Sequence, residues 1–295
     1  MDRTIDTFEL HERLGALASA ALLEAIEPLT LAPHAEVPIY IALPELGPYF
    51  SEFDGCAVCR HIQQATADRC AATIYPVFDG NAGGCRALER ALASISKRVV
   101  HLCVVGGVGS FIHPDLLVDL DEAGRLMSAS NKWGFPPGEG AGMIVIVSGS
   151  MARSLRSSVC AAVLEVSCAV EPMPMHAEGV CIGEGLSAVF RRIVESVGLP
   201  DHRISMQYCD LDGERYRNEE LMYALQRVSP HAFLQAEDYI APADCWGNVG
   251  AAGVPLLAIL ALQSKSRGYA RGSRPMVWAS SELGLRGAVL LDLAV

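Results

Sequence analysis

The chain has 295 residues, of which 51% are apolar, 19% charged and 6% aromatic, and its formal charge is −11. A mean hydropathy of +0.27 with this charge density excludes an intrinsically disordered chain. The acidic balance, without any lysine- or arginine-rich run, speaks against nucleic acid or an anionic membrane as the main partner. No apolar run approaches the roughly 18 residues of a transmembrane helix. The N-terminus lacks the basic-then-apolar layout of a signal peptide. Ten scattered cysteines read as reduced, buried thiols rather than as a disulfide scaffold. The expectation is a soluble cytoplasmic protein.

Apolar residues at helical spacing predict a helix over Phe8–Ile26. After a loop around Pro33, the continuous apolar run Val37–Leu43 predicts a buried strand. A helix over Cys59–Ala71 and a strand over Ile74–Phe78 come next. Asp79–Gly84 is a sharp turn into a helix over Cys85–Ile95, and Val99–Val105 is a strand that ends in Gly106-Gly107. Gly138–Gly142 opens the strand Met143–Ser148. The second half predicts strands at Val159–Val170, Ile204–Tyr208, Met276–Ser280 and Gly287–Leu293. Its helices fall at Gly185–Val197, Glu219–Arg227 and Gly250–Leu262. This alternation indicates a mostly parallel sheet with helical cover. No flexible linker interrupts it, so halves 1–150 and 151–295 are expected to form one compact unit with internal pseudo-symmetry.

The glycine run Gly138-Glu139-Gly140-Ala141-Gly142 has the look of a dinucleotide fingerprint, but such a fingerprint must lead into a helix. Here a strand follows, so the glycines are read as sites of tight turning and close backbone approach. GFPPGEGAG (134–142) with its strand resembles a segment of the β-ketoacyl synthases in the thiolase superfamily. Three further stretches agree in order and spacing. They are VVHLCVVGGVGSFIHPDLL (99–117), WGNVGAAG (246–253) before an Ala/Leu-rich helix, and SSELGLRGAVLL (280–291). The resemblance runs from about Val37 to the C-terminus. It implies a thiolase-like α-β-α-β-α sandwich of two pseudo-symmetric halves, usually a homodimer. It also implies acyl transfer through a cysteine at a strand-to-helix elbow, with two histidines and a supporting lysine. A thiolate attacks the thioester, a helix N-terminus activates it and supplies oxyanion donors, and the imidazoles stabilise the enolate.

Carried over position by position, that machinery is absent. The family spacing counted back from Gly106 puts Asn81 at the elbow. Cys85, one turn into the helix, is a candidate displaced nucleophile with a packing cysteine as the plainer reading. Cys209 or Asp210 stands at the first histidine, Gly247 at the second and Pro242 at the lysine. Ser281-Glu282-Leu283-Gly284 replaces the glycine-rich gate. Four simultaneous substitutions suggest a non-condensing relative that keeps a pocket for binding. Asn81, Trp246, Glu282 and Gly284 are its candidate binding residues, with Trp246 filling space that substrate takes in an active relative.

The other constellations are weaker. Cys56-Ala57-Val58-Cys59 has no second ligand pair, so it reads as reduced thiols at a helix cap or loop rather than as a zinc site. Asp210, Asp212, Glu214, Glu219 and Glu220 form an acidic cluster that reads as a solvated loop and helix start rather than as a metal site. His113 reads as a loop histidine. No metal and no cofactor is expected. The expected role is a partner subunit, homodimeric or paired with a related chain, or an adaptor of the kind that serves type VI secretion. The alternative is an acyltransferase of the 3-oxoacyl synthase type that uses Cys85, Cys209 or Asp210 in a rearranged site. Docking of an acidic acyl carrier protein finds no support in a chain of charge −11.

Overall fold

The computed structural model describes residues 9–29, 31, 35–154 and 159–294. The expected loop at Pro33 and the first residue of the expected N-terminal helix lie outside them. The first half runs α1 (Leu10–Ile26), β1 (Glu36–Ala42), α2 (Glu52–Thr66), β2 (Ala71–Val77), α3 (Gly83–Ser96), β3 (Leu102–Ser110), α4 (Pro114–Glu122), β4 (Glu139–Val147) and α5 (Gly149–Ser154). The second runs β5 (Ala162–Val170), α6 (Glu184–Ser196), β6 (Met206–Cys209), α7 (Arg215–Gln226), β7 (Tyr239–Ile240), α8 (Ala243–Trp246), α9 (Gly253–Ser266), β8 (Pro275–Ser280) and β9 (Leu285–Asp292). No helix among the described residues is long and apolar enough to cross a membrane.

The strands form two sheets, ordered β2-β1-β3-β4 and β5-β9-β8-β6-β7. Both are mixed, which corrects the expectation of one mostly parallel sheet. β4 runs antiparallel to β3, and β9 runs antiparallel to both β5 and β8. Alternation of strands and helices reports crossovers, but it does not reveal where a strand returns without one.

α3 and α9 lie between the sheets. Cys85, Leu88, Leu257 and Ala261 join Val105 of one sheet and Val277 and Val289 of the other in a single buried cluster. α1 and α2 cover the outer face of the first sheet, where Leu14, Leu22, Val58 and Ile62 pack on Ile39 and Val104. α6 and α7 cover the second, where Phe190, Ile193 and Leu221 pack on Met276 and Trp278. The layers therefore run helix, sheet, helix, sheet, helix.

Several boundaries differ from expectation for local reasons. α2 starts at Glu52 because Ser51 and Asp54 close a reciprocal capping box there. Cys56 and Cys59 consequently sit inside a helix, not at a cap or in a loop, and both are free thiols. His113 is the N-cap residue of α4, a short helix opened by Pro114. Gly106-Gly107 lies within β3 rather than at its end. A Cβ on Gly107 would come within 2.0 Å of the Ala251 carbonyl oxygen, and one on Gly109 within 2.4 Å of that of Val249. These glycines bring the first sheet against the turn before α9.

Candidate functional site

Both central helices are entered in the same way. Gly80–Ala82 and Gly250–Ala252 each form a short 3-10 turn that continues directly into α3 and α9. Gly80 and Gly250 have φ of +59° and +56°, a left-handed conformation that glycine adopts without a Cβ penalty. GNAGG and GAAG are one device used twice, and it sets Asn81 against the second turn.

Asn81 is 5% exposed. Its Nδ2 donates to Asp210 Oδ2 at 3.0 Å and to Asn248 Oδ1 at 3.3 Å. Asn248 Oδ1 also accepts from the Gly250 N–H at 2.9 Å, and Asn248 Nδ2 donates to Asp212 Oδ2 at 2.7 Å. At the start of α3, the Ala82 N–H donates to Ser281 Oγ at 2.8 Å, and that hydroxyl donates to the Asp79 carbonyl. The backbone donor beside the elbow is thus already engaged.

Asn81, Asp210, Pro242 and Gly247, which are distant in sequence, line one cavity with Trp246. Its volume is about 20 Å³, room for about one water. Cys85 lies elsewhere. It is fully buried at the interface of α3 with β9, where its Sγ would lie 2.8 Å from a Cβ on Gly287. Burial pushes its thiol well up, so it has neither access nor thiolate character. Cys209 lines the cavity, but it is also fully buried, with its thiol raised for the same reason.

The acidic cluster is not solvated, contrary to expectation. Asp210, Asp212 and Glu214 surround Arg217, whose side chain is 3% exposed. Arg217 Nη1 donates to Asp210 Oδ2 at 3.1 Å and to the Ser280 carbonyl at 2.7 Å. Arg125 grips Glu214 with two hydrogen bonds, at 2.9 and 3.1 Å, and Glu282 with two more, at 3.2 and 2.7 Å. Arg286, fully buried, donates to Glu220 at 2.5 Å. Only Glu219 of the five acids faces solvent, paired with Arg215. Burial raises the Asp210 carboxyl despite Arg217. Burial also pushes Glu282 upward, but Arg125 outweighs it and holds that carboxyl below its ordinary range.

Glu282 and Gly284 sit on the turn between β8 and β9, where the Ser281 N–H donates to the Leu285 carbonyl at 2.8 Å. Gly284 has φ of +115°. Beside this turn lies a second cavity of about 250 Å³, which reaches Asn81, Gly80 and Glu282. Sequence reasoning missed Asn248 and Glu45, which line these cavities, and Arg217 and Arg125, which hold the neighbouring acids. Of these, only Asn248 had a signal, its place inside WGNVGAAG.

The family model described as Beta-ketoacyl synthase, N-terminal domain, matches residues 80–152. No curated protein matches the sequence. The fold is similar to a ketosynthase from module 6 of the bacillaene synthase of Bacillus subtilis 168, at TM-score 0.75 and 14% identity. That match covers 97% of this chain and 58% of the other, so the chain spans less than two thirds of the bacillaene ketosynthase. A ketosynthase in complex with its type II polyketide synthase acyl-carrier protein gives TM-score 0.75 at 11% identity, over 95% of this chain and 85% of that one. The ishigamide ketosynthase/chain length factor gives 0.67 at 18%, over 99% and 85%. The five layers are those of the thiolase-like α-β-α-β-α sandwich, built from two pseudo-symmetric halves. With this fold and the matched segment around its central elbow, the chain resembles the β-ketoacyl synthases, and its fold is that of the thiolase-like ketosynthases.

Proposed function

We propose that the protein is a non-condensing β-ketoacyl synthase-like subunit that binds, as a partner subunit or adaptor, and transfers no acyl group. One observation carries this reading. The residues at the four catalytic positions, Asn81, Asp210, Gly247 and Pro242, converge on one place, yet that place offers neither an accessible thiol nor an imidazole. Trp246 helps to reduce it to about 20 Å³, too little for an acyl chain. The Ala82 N–H, at the start of α3 beside Asn81, is bonded to Ser281. Condensation needs a nucleophile, a base and an empty oxyanion hole.

Assembly with a second, related subunit is supported by the open edge of the first sheet. β2 is its outermost strand, and Ala71, Thr73 and Tyr75 are exposed in alternation along it. Tyr75 is 44% exposed and stacks on Tyr40 of β1. One of the similar structures is a ketosynthase/chain length factor, and pairing of that kind is the arrangement we carry over. The net charge of −11 argues against an acidic carrier protein as the partner.

The test is incubation of the purified protein with acyl and malonyl thioesters, read by intact-protein mass spectrometry and CO₂ release. The expected result is an unmodified chain and no CO₂ above the protein-free control. A stoichiometric acyl adduct on Cys85 or Cys209, or an ester on Asp210, overturns the proposal and establishes the acyltransferase with a rearranged site.

A further inference from the structure

The cavity of about 250 Å³ beside Asn81 has walls of an unusual kind. Apolar and aromatic side chains dominate, with Tyr49, Phe50 and Phe111 among them. Two carboxylates, Glu45 and Glu282, line it as well, and none of the lining residues is lysine or arginine. Glu282 is neutralised by Arg125 and touched by His176. Glu45 is not. Its Oε1 accepts a hydrogen bond from the Leu283 N–H at 2.9 Å, and among the described residues it has no ion-pair partner. The Gly80 backbone is packed close against it, since a Cβ there would lie 2.8 Å from Glu45 Cγ. Burial raises the Glu45 carboxyl, which is held by backbone on an apolar wall, and no lysine or arginine among the lining residues faces it, His176 sitting on Glu282.

We propose that this cavity binds a small amphipathic ammonium ion, its apolar body among Phe50 and Phe111 and its charged head on Glu45. Volume sets the size. A cavity of about 150 Å³ accepts benzene, so this one accommodates an aromatic ring or short alkyl chain together with a head group. Aromatic faces favour a cation as well, through their quadrupoles. The same walls disfavour carboxylate and phosphate ligands, because two acids line the cavity with no lysine or arginine, and its one histidine, His176, sits on Glu282. The inference deepens the proposed binding role and rests on it only in taking the face beside Asn81 as the binding surface.

The test uses three near-isosteric probes, 2-phenylethylamine, 2-phenylethanol and phenylacetate, titrated calorimetrically into the full chain and its Glu45→Gln variant. The amine should bind about tenfold or more tightly than the alcohol, the scale of one charge-assisted hydrogen bond. Phenylacetate should not saturate. Glu45→Gln should lower amine affinity to that of the alcohol while alcohol binding is retained, which also shows that the variant is folded. Equal affinity for amine and alcohol, tighter binding of phenylacetate, a preference that survives Glu45→Gln, or no binding of any probe at 10-millimolar scale overturns the inference. An acyl adduct in the thioester assay overturns the non-condensing role and leaves the ammonium site standing.

Discussion

Replacing Arg217 with methionine tests whether the buried acids depend on one cation. The side chain is 3% exposed, and its Nε lies 3.4 Å from Asp212 Oδ2 and 3.6 Å from Glu214 Oε2, in addition to its contact with Asp210. The loss is not shared equally. Glu214 keeps Arg125, and Asp212 keeps the Asn248 amide and the Glu214 N–H. Asp210, whose side chain is 7% exposed, likewise keeps only neutral donors, Asn81 Nδ2 and the Ser280 N–H, so two buried carboxylates lose their cation. Stranding a buried charge in this way costs about 3–5 kcal/mol. At roughly 2 °C per kcal/mol for a chain of this length, Arg217→Met should melt about 6–10 °C lower. Denaturant unfolding followed by the buried Trp278 and by circular dichroism measures the loss. Adding Asp210→Asn removes one of the two stranded charges and should recover a substantial part of it. Burial already raises Asp210, and removing Arg217 raises it further, so the variant's deficit should shrink as pH falls through that value. A loss below about 1 kcal/mol, the scale of an exposed ion pair, or a double variant no better than the single, refutes the reasoning.

Two further predictions concern the gate and the glycines. Burial pushes Glu282 up and Arg125 outweighs it, leaving a folded-state pKa below the ordinary 4.5. The stability this gives is complete above about the unfolded value and is lost as pH falls through the folded one. Glu282→Gln should therefore flatten the fall in melting temperature below pH 4.5, and superimposable profiles for the two proteins would falsify the assignment. Gly107→Ala drives a Cβ to within 2.0 Å of the Ala251 carbonyl oxygen. It should cost more than about 3 kcal/mol, the upper range for overpacking, and should reduce the soluble yield. Gly253→Ala meets nothing within 4 Å at a helical φ of −55° and should gain up to about 1 kcal/mol. Equal effects of the two in thermal melts would mean that close approach is not why β3 carries glycines.

The fold was legible where one device is local and repeated. GNAGG and GAAG each hold, within a few residues, the positive-φ glycine and the small residues that a turn into a buried helix needs. The grouping of Asn81 with Asp210 and Gly247 was what the family resemblance implied, and these residues line one cavity. The acidic cluster was misread because its burial depends on partners far along the chain as well as on Arg217 within it. Arg125 reaches Glu214 across 89 positions and Glu282 across 157. Five acids in a short stretch look solvated until folding buries Arg217 among them and brings Arg125 and Arg286 from afar. The direction of β4 and β9 was hidden for a related reason, since an apolar run has the same composition whichever way it points. Glu45 had no local signal at all. Its role depends on the Gly80 backbone and the Leu283 N–H, which chain topology alone brings near.

Hydrogen-bond accounting explains why the proposed binding belongs to the larger cavity. Asn81 Nδ2 has two donor hydrogens, and Asp210 and Asn248 accept from it. Asn248 Oδ1 accepts from both Asn81 and Gly250, while its own amide serves Asp212. Asp210 accepts from Asn81, Arg217 and the Ser280 N–H. A ligand that entered the cavity of about 20 Å³ would have to break one of these buried bonds and strand its partner, at about 1–3 kcal/mol each. The cavity of about 250 Å³ needs no such exchange, because Glu45 still lacks a counter-charge and the aromatic walls are already formed. Asn81 stands between the two cavities and closes one while lining the other. On the reading proposed above, an asparagine at the elbow does two things: it offers no nucleophile there, and it ties the interior into a buried hydrogen-bonded network, so that a ligand is held on the outer side.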